Sequence, residues 1–401
     1  MKTTIIKEKI SDAAEMIARG ELVAVPTETV YGLAGNGLCE KAVEQIYEVK
    51  GRPQIKPLSL MVPDSLAMDE YCENVPKAAK CLADKFWPGP LTIVLKSKPC
   101  IPDIVRAGGE TVGLRCPDHP MTTELLKKVK LPLAAPSANP SGEPSPKTAG
   151  EVLGYFDGEI SGVIDGGVCS LGTESTIIDM SRTPYRILRS GALGEREIKS
   201  ALASQLKLIG ITGGTGCGKT TALNALSRLG ALVIDCDEVY HRLLSENDEL
   251  LSELRISFPA AFEGGFDRKK LGGIVFGDAE GLSKLNGITH RYVMLEIKRL
   301  LGEYAMAGGK TAALDAVALI ESGLAESCDI TVGVISERSS RTERIMKRDG
   351  ISREYAEMRI NAQKPDEFYI QNCDHVLRND GTESEFTEKC LIFFKGVSEN
   401  E

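Results

Sequence analysis

The chain has 401 residues, 42% hydrophobic and 26% charged, with a formal net charge of -9; that length favours two domains of ~200 residues over one. The acidic balance argues against a broad basic surface for nucleic acid, while leaving room for a local basic cleft. Charge interrupts the N-terminal stretch every few residues, which excludes a signal peptide, and no apolar run nears the ~18 residues of a membrane helix. The eleven cysteines include no Cys-x-x-Cys pair, a pattern that fits the reduced thiols of a cytoplasmic protein better than a disulfide scaffold or zinc site.

Short β-branched runs open the chain: Leu22–Val25, Leu58–Val62, Thr92–Leu95 and Thr111–Arg115, then Leu133–Ala135, Ile160–Ile164, Thr176–Asp179 and Tyr185–Leu188. Helical spacing over Glu40–Val49 and Pro76–Phe86 separates several of them, so the first half reads as α/β. A charged helical stretch, Gly194–Ala203, follows the last strand, and Leu206–Ile211 then begins a new strand–loop–helix unit. The boundary falls near residues 203–206, giving domains at 1–203 and 206–401. Beyond it, strands at Leu232–Ile234, Ala312–Val317 and Ile330–Ile335 alternate with long helices, the signature of a parallel sheet with crossover helices.

The first half contains no Gly-x-x-x-x-Gly-Lys, so a nucleotide there must be held by side chains. Lys50, Arg52 and Lys56 put three cations within seven residues just after a helix, a candidate triphosphate clamp; a solvated basic helix end is the plain alternative. Pro136-Ser137-Ala138-Asn139 projects hydroxyl, amide and backbone donors from a strand end, as an ordinary turn also does. Polar groups cluster again at Gly172–Thr176 and Ile187–Gly191.

The second half carries the more specific motif. Gly213-Gly214-Thr215-Gly216-Cys217-Gly218-Lys219-Thr220 satisfies G-x-x-x-x-G-K-[ST] between a strand and a helix beginning at Thr221. Glycines let the backbone turn its N–H groups onto phosphate, Lys219 reaches the β/γ-phosphates, and the Thr220 hydroxyl is placed for Mg²⁺. The next strand runs into Ile234-Asp235-Cys236-Asp237. A carboxylate at Asp237 lies where doubly wound sheets build their sites and can take a proton from an attacking hydroxyl; it can also be a helix N-cap for Glu238–Leu244. Arg338, Arg341, Arg344 and Arg348 fall near one helix face, a crowding of charge that suits a lid closing on an anion or a solvated basic face.

With these residues in view, the runs LIGITGGTGCGKTT, VIDCDEVYH, LNGITH, VALIESGL, RIMKRDGISREYAEMRINAQ and CDHVLRNDG resemble dephospho-coenzyme A kinase over residues 207–395. The resemblance implies a P-loop kinase with parallel sheet, helical substrate region and lid, passing the γ-phosphoryl of ATP to the ribose 3′-hydroxyl of dephospho-CoA. It implies Asp237 as base and Gly214, Thr215, Gly216, Cys217, Gly218, Lys219, Thr220 and Thr221 around ATP. Thr220 would bind Mg²⁺, and Arg344 and Arg348 would form the lid. Cys217, Val317 and Arg291 depart from the common Ser, Pro and Pro of that family.

In the first half PTETVYGLAG, KPLSLMV, FWPGPLTIVL and VGLRCPDHP join the K-x-R and S-x-N pair. Together they resemble the YrdC-like threonylcarbamoyl-adenylate synthases over residues 5–193. The implied fold is an open twisted α/β sheet with a concave face, and the implied reaction joins L-threonine, bicarbonate and ATP into L-threonylcarbamoyladenylate and pyrophosphate. ATP would meet Lys50, Arg52, Lys56, Thr111, Ser137, Asn139 and Arg189, with Lys50 and Arg52 catalytic beside Lys219 and Asp237 of the other half. Threonine would meet Thr29, Arg115, Ala135 and Ser175, while Met61 stands where many members have His. Expected partners are these small molecules and a tRNA or tRNA-modifying threonylcarbamoyl-transfer complex, with no membrane. The competing readings are an RNA-binding module or a hydrogenase-maturation carbamoyl-transfer module for the first half, and a small-molecule or nucleoside kinase with another acceptor for the second.

Overall fold

The computed structural model describes residues 2–275 and 277–399. Contacts divide the chain into two compact units, Met1–Ser204 with Met306–Gly308, and Gln205–Ala305 with Gly309–Glu401. Among the described residues no helix is long and apolar enough to cross a membrane.

Among the described residues the first unit is built on ten strands: β1 (Thr4–Ile6), β2 (Val23–Val25), β3 (Gly32–Asn36), β4 (Ser59–Met61), β5 (Leu91–Lys96), β6 (Thr111–Arg115), β7 (Leu133–Ala134), β8 (Gly162–Ile164), β9 (Thr176–Asp179) and β10 (Arg186–Arg189). They lie in the order β1-β8-β2-β3-β7-β4-β6-β5-β9-β10. The sheet is mixed: β2 runs antiparallel to β3, with Val23 opposite Ala34, while β4 and β6 run parallel with Leu60 opposite Leu114. Helix Ile10–Ala18 buries Ile10, Ala13 and Ile17, the three- and four-residue spacing of one helical face. Those side chains share a core with Val23, Val25, Ala34, Met61 and Leu125. Burial of this apolar stripe contributes roughly 1.5–3 kcal/mol per large side chain, so the helix is held by packing more than by its own propensity.

Strand β3 was not expected, because Gly-Leu-Ala-Gly-Asn contains no β-branched residue. Its glycines are needed for close packing. A Cβ on Gly35 would lie 2.9 Å from Leu22 Cδ2 and 3.3 Å from Ile46 Cδ1, so only glycine lets helix Glu40–Lys50 approach the strand this closely.

The described residues of the second unit carry five strands, β11 (Lys207–Thr212), β12 (Leu232–Asp235), β13 (Thr311–Asp315), β14 (Ile330–Ile335) and β15 (His375–Arg378). Their order is β12-β13-β11-β14-β15, and every pair is parallel. Ile209 and Ile211 of β11 share a core with Val332, Val334, Leu226, Phe386 and Phe394, as expected of a strand covered on both faces. Because all five strands point one way, the loops after β11, β12 and β13 open at the same edge. The β12–β13 register sets Asp235 beside Asp315 there. Strand β13 ends at Asp315 and does not continue to Val317, which leaves that carboxylate at the strand terminus.

Candidate functional site

In the first unit a cavity of about 330 Å³ opens over the sheet, and Arg52, Thr111, Arg115, Ala135, Ser137, Ser175 and Arg189 all line it. Ser137 is held by a backbone bridge to Gly32, and the neighbouring Leu33 N–H donates to the Pro136 carbonyl at 2.7 Å. Arg52 follows the helix Glu40–Lys50 and is tied down by its own loop, donating to the carbonyls of Lys56 (3.2 Å) and Pro57 (2.9 Å). Arg189, at the end of β10, donates to the Ser175 carbonyl at 2.8 and 3.0 Å and pairs with Glu174. Burial lowers the proton affinity of both guanidiniums from the usual value. They nonetheless stay charged, because arginine begins so far above neutral.

Arg115, only 7% exposed, donates through Nη2 to Glu28 Oε1 (2.7 Å) and to Thr29 Oγ1 (2.8 Å). Glu28 in turn accepts from the Asp118 N–H at 3.0 Å. A buried charge needs such a partner, and the pairing fixes the guanidinium at the cavity wall. Thr29 itself is fully buried behind Arg115. Ser175 shares a 2.9 Å hydrogen bond with Thr92. Three further sequence candidates stand away from the lining. Lys56 is exposed and contributes its carbonyl to Arg52, whereas Lys50 and Asn139 are buried behind the Ser137 turn.

In the second unit a cavity of about 580 Å³ is lined by Gly214, Thr215, Gly216, Gly218, Lys219 and Thr220 together with Arg344, Arg348, Arg359 and Gln363. The loop can be made only with glycine at two crowded points. Gly213 and Gly218 have φ of 144° and 104°, and a Cβ would lie 2.2 Å from the Val334 oxygen or from Asn379 Nδ2. Lys219 Nζ donates to the Gly213 carbonyl at 2.8 Å. Cys217 points its side chain into the core, so only its backbone can face a phosphate. Thr221 sits in the helix Lys219–Arg228, donating its N–H to the Gly218 carbonyl.

The four arginines of the helix Arg338–Asp349 do not act alike. Arg344 and Arg348 line the cavity, Arg344 anchored to Ser336 Oγ (3.0 Å) and Arg348 reaching Thr215 Oγ1 (3.5 Å). Arg341 is 4% exposed, bonded to the Thr215 carbonyl (3.0 Å) and paired with Asp366 (3.2 Å), so it holds the loop from behind. Arg338 is exposed and donates to Asn361.

A second cavity, about 360 Å³, lies against Asp237, Tyr240, Arg268, Asn286 and His290 with an otherwise mostly apolar wall. The N-cap of helix Cys236–Glu246 is Asp235, whose Oδ1 accepts from the N–H groups of Asp237 and Glu238 at 2.9 Å. The helix-cap reading of Asp237 is therefore corrected: Asp235 takes that task, and Asp237 is left in the first turn, facing the cavity.

Gln363 and Asp315 are among the residues of this edge that went unassigned in the sequence. Gln363 accepts the Thr215 N–H at 2.7 Å, occupying a loop amide. Asp315 has a buried Oδ1 with no hydrogen-bond partner among the described residues. Burial, reinforced by Asp235 and Asp237 against the opposing Lys219, pushes its carboxyl up to about 6. The signal was present in Thr-Ala-Ala-Leu-Asp, an apolar strand closed by a carboxylate beside a phosphate loop.

The second unit thus has the architecture of a P-loop phosphotransfer domain, and the first that of an open-sheet domain with a guanidinium-lined cavity. Residues 15–191 match the Sua5/YciO/YrdC family, described as "Telomere recombination", and residues 207–385 match the family described as dephospho-CoA kinase. The threonylcarbamoyl-AMP synthase of Pyrococcus abyssi is 44% identical over 194 residues, covering 48% of this chain and 57% of its own. A putative threonylcarbamoyl-AMP synthase of Methanocaldococcus jannaschii is 41% identical over 177 residues, 44% of this chain and 83% of its own. The dephospho-CoA kinase of Geobacter sulfurreducens is 33% identical over 187 residues, 46% of this chain and 95% of its own. The chain belongs to both families, its first half to Sua5/YciO/YrdC and its second to the dephospho-CoA kinases. It spans little more than half the length of the Pyrococcus abyssi relative and of similar ones from Bacillus subtilis and Schizosaccharomyces pombe. Enzyme names on both sets of relatives do not favour an RNA-binding module or a kinase for another acceptor.

Proposed function

We propose that the chain is a bifunctional cytoplasmic enzyme that makes L-threonylcarbamoyladenylate from L-threonine, bicarbonate and ATP in its first half and phosphorylates dephospho-CoA in its second. The observation that carries this reading is that each unit has its own cationic cavity on its own sheet, one lined by Arg52, Arg115 and Arg189, the other by the phosphate loop with Arg344 and Arg348.

In the first reaction a carbamate oxygen of N-carboxythreonine bonds to the α-phosphorus while the bond to the β-phosphate bridge breaks, its electron pair leaving on pyrophosphate. No covalent enzyme intermediate is needed; the work is alignment and charge neutralisation. Arg52 and Arg189, with Ser137 and Thr111, would hold the triphosphate. Arg115, oriented by Glu28 and Thr29, would meet the threonine carboxylate beside Ala135 and Ser175. The adenylate would then serve a tRNA-directed transfer.

In the second reaction the acceptor hydroxyl gives its proton to Asp237 as its oxygen bonds to the γ-phosphorus and ADP departs. Lys219 and the loop amides would hold the transferring phosphates, and Arg344 and Arg348 would close over them. Mg²⁺ would be held by the Thr220 hydroxyl, which is exposed on the cavity, with the unpartnered oxygen of Asp315, at the end of the neighbouring strand, as the hard anionic donor that such a cation prefers. When bound, the ion neutralises charge on the β/γ-phosphates. Arg268, whose Nη2 is 3.3 Å from His241 Nε2, is the cation available to the diphosphate of the acceptor.

The test is one incubation with ATP, threonine, bicarbonate and dephospho-CoA, each omitted in turn, with pyrophosphate, ADP, coenzyme A and the adenylate resolved. Pyrophosphate must require threonine and bicarbonate, and ADP must require dephospho-CoA. Release of either product without its co-substrate overturns the assignment of that half.

A further inference from the structure

The K-x-R and S-x-N residues of the first unit divide into two that face the cavity, Arg52 and Ser137, and two that do not, Lys50 and Asn139. Lys50 is the last residue of the helix Glu40–Lys50 and is 3% exposed. Its ammonium donates to the carbonyl oxygens of Ser137 and Asn139, and its own carbonyl accepts the Ser141 N–H at 2.8 Å. A lysine at a helix end ordinarily caps its own last carbonyls or reaches water. Here it is spent on a turn nearly ninety residues away, bound on both its donor and its acceptor side.

Asn139, 6% exposed, is bound to the same turn on its donor side, while its buried Oδ1 has no hydrogen-bond partner among the described residues. Its Nδ2 donates to the carbonyls of Pro140 (3.0 Å) and Glu143 (2.5 Å), fixing the far side of the same turn. An ammonium with two carbonyl acceptors in a desolvated pocket makes strong charge-assisted bonds, and moving it out to a phosphate would leave both carbonyls unpaired, at a cost in free energy. The charged groups acting on it are Arg52, at the end of its own helix, and Glu174, from the loop before β9.

We infer that Lys50 and Asn139 are positioning residues that build the Ser137 wall of the cavity, and that the phosphate-facing cation of the Lys50-Gly51-Arg52 run is Arg52. This rests on the proposal that the cavity takes a nucleotide, and it reassigns two of the residues expected to touch it.

Direct contact and positioning differ in how loss depends on phosphate number. In the full chain, inhibition constants for AMP and ADP and the KM for ATP are measured in threonine-dependent pyrophosphate release. Lys50→Met should raise all three by a common factor, on the order of 10-fold for a lost charge-assisted bond. Arg52→Gln should raise them increasingly from AMP to ATP. Lys50→Gln keeps two N–H donors without the charge and should recover most of the loss. A Lys50→Met loss that climbs with phosphate number, or a folded Lys50→Gln no better than Met, overturns the inference.

Hydrogen–deuterium exchange of the peptide spanning 136–143 gives a readout that needs no activity. It should quicken in Lys50→Met, much less in Lys50→Gln, and stay unchanged in Arg52→Gln; unchanged exchange in a folded Lys50→Met overturns the inference too. Wild-type protein that releases no pyrophosphate would defeat the proposed reaction and leave the exchange experiment to decide the role of Lys50.

Discussion

Replacing Asp315 by Asn should stabilise the unliganded second unit while abolishing its phosphotransfer. Asp315 ends an apolar strand with one oxygen buried and unpartnered, next in register to Asp235 and near Asp237. Its carboxyl is pushed up to about 6 from an ordinary 3.8, first by burial and then by those two carboxylates. An acid whose folded value is raised is disfavoured on ionisation: the cost is absent where folded and unfolded chains are both protonated, grows as pH rises from about 4 to 6, and is full above that. At 1.36 kcal/mol per pH unit the gap corresponds to roughly 3 kcal/mol, and partial exposure to water reduces this to about 1–2 kcal/mol. For a unit of this size that is a gain of roughly 3–6 °C in Tm. The assay is calorimetry of Asp315→Asn and wild type from pH 4 to 8 without nucleotide, paired with coenzyme A formation at pH 7.5. The Tm difference should be near zero at pH 4 and level off above pH 6. A variant less stable than wild type at pH 7.5, or one with undiminished kinase turnover, would refute the reasoning that Asp315 is kept at a cost in stability for a cation-binding task.

The other expectations concern single side chains on the cavity walls. Asp237→Asn should lower the kcat of dephospho-CoA phosphorylation by roughly 10²–10⁴ with ATP binding and Tm unchanged, since Asp235 caps the helix; a large fall in Tm would return Asp237 to a structural role. Arg268→Gln should raise the KM for dephospho-CoA about tenfold, the worth of one charged hydrogen bond, and leave the KM for ATP alone, as steady-state kinetics against each substrate will show. Arg52→Ala should silence threonine-dependent pyrophosphate release without touching coenzyme A formation, and Lys219→Ala should do the converse. Loss of both activities from either change would mean that the two sites are coupled.

The sequence was most legible where one physical requirement fixes several residues together. The phosphate loop needs glycine where the backbone turns left-handed or crowds a neighbour, a cation, a hydroxyl and a following helix, and the chain from Gly213 to Thr220 meets all of them in order. Most strands were equally plain because β-branched runs bounded by turn residues have few other homes. Strand β3 was not, because its glycines are selected by the helix that packs on it, a tertiary demand that strand propensity does not encode. The same distinction runs through the sites. Arg52, Ser137 and Arg189 line their cavity as charge and position suggested. The residues that orient the sites (Glu28 under Arg115, Glu174 on Arg189, Arg341 and Gln363 on the phosphate loop) are brought into contact by the fold from distant segments; Glu174 and Arg341 stood in clusters visible in the sequence, but no local spacing announces which group each one meets. Lys50 sharpens the point. A motif states which residues occur together, but only burial and hydrogen-bond partners distinguish a cation that meets a phosphate from one that holds the wall the phosphate leans on. A half-buried guanidinium on a cavity wall, such as Arg52 donating to its own loop through Nε and Nη2, still has N–H groups left for an anion, whereas a buried ammonium must be satisfied by the protein itself before any ligand arrives. By that criterion the charge in Lys50-Gly51-Arg52 that is free to serve a substrate is the one on Arg52.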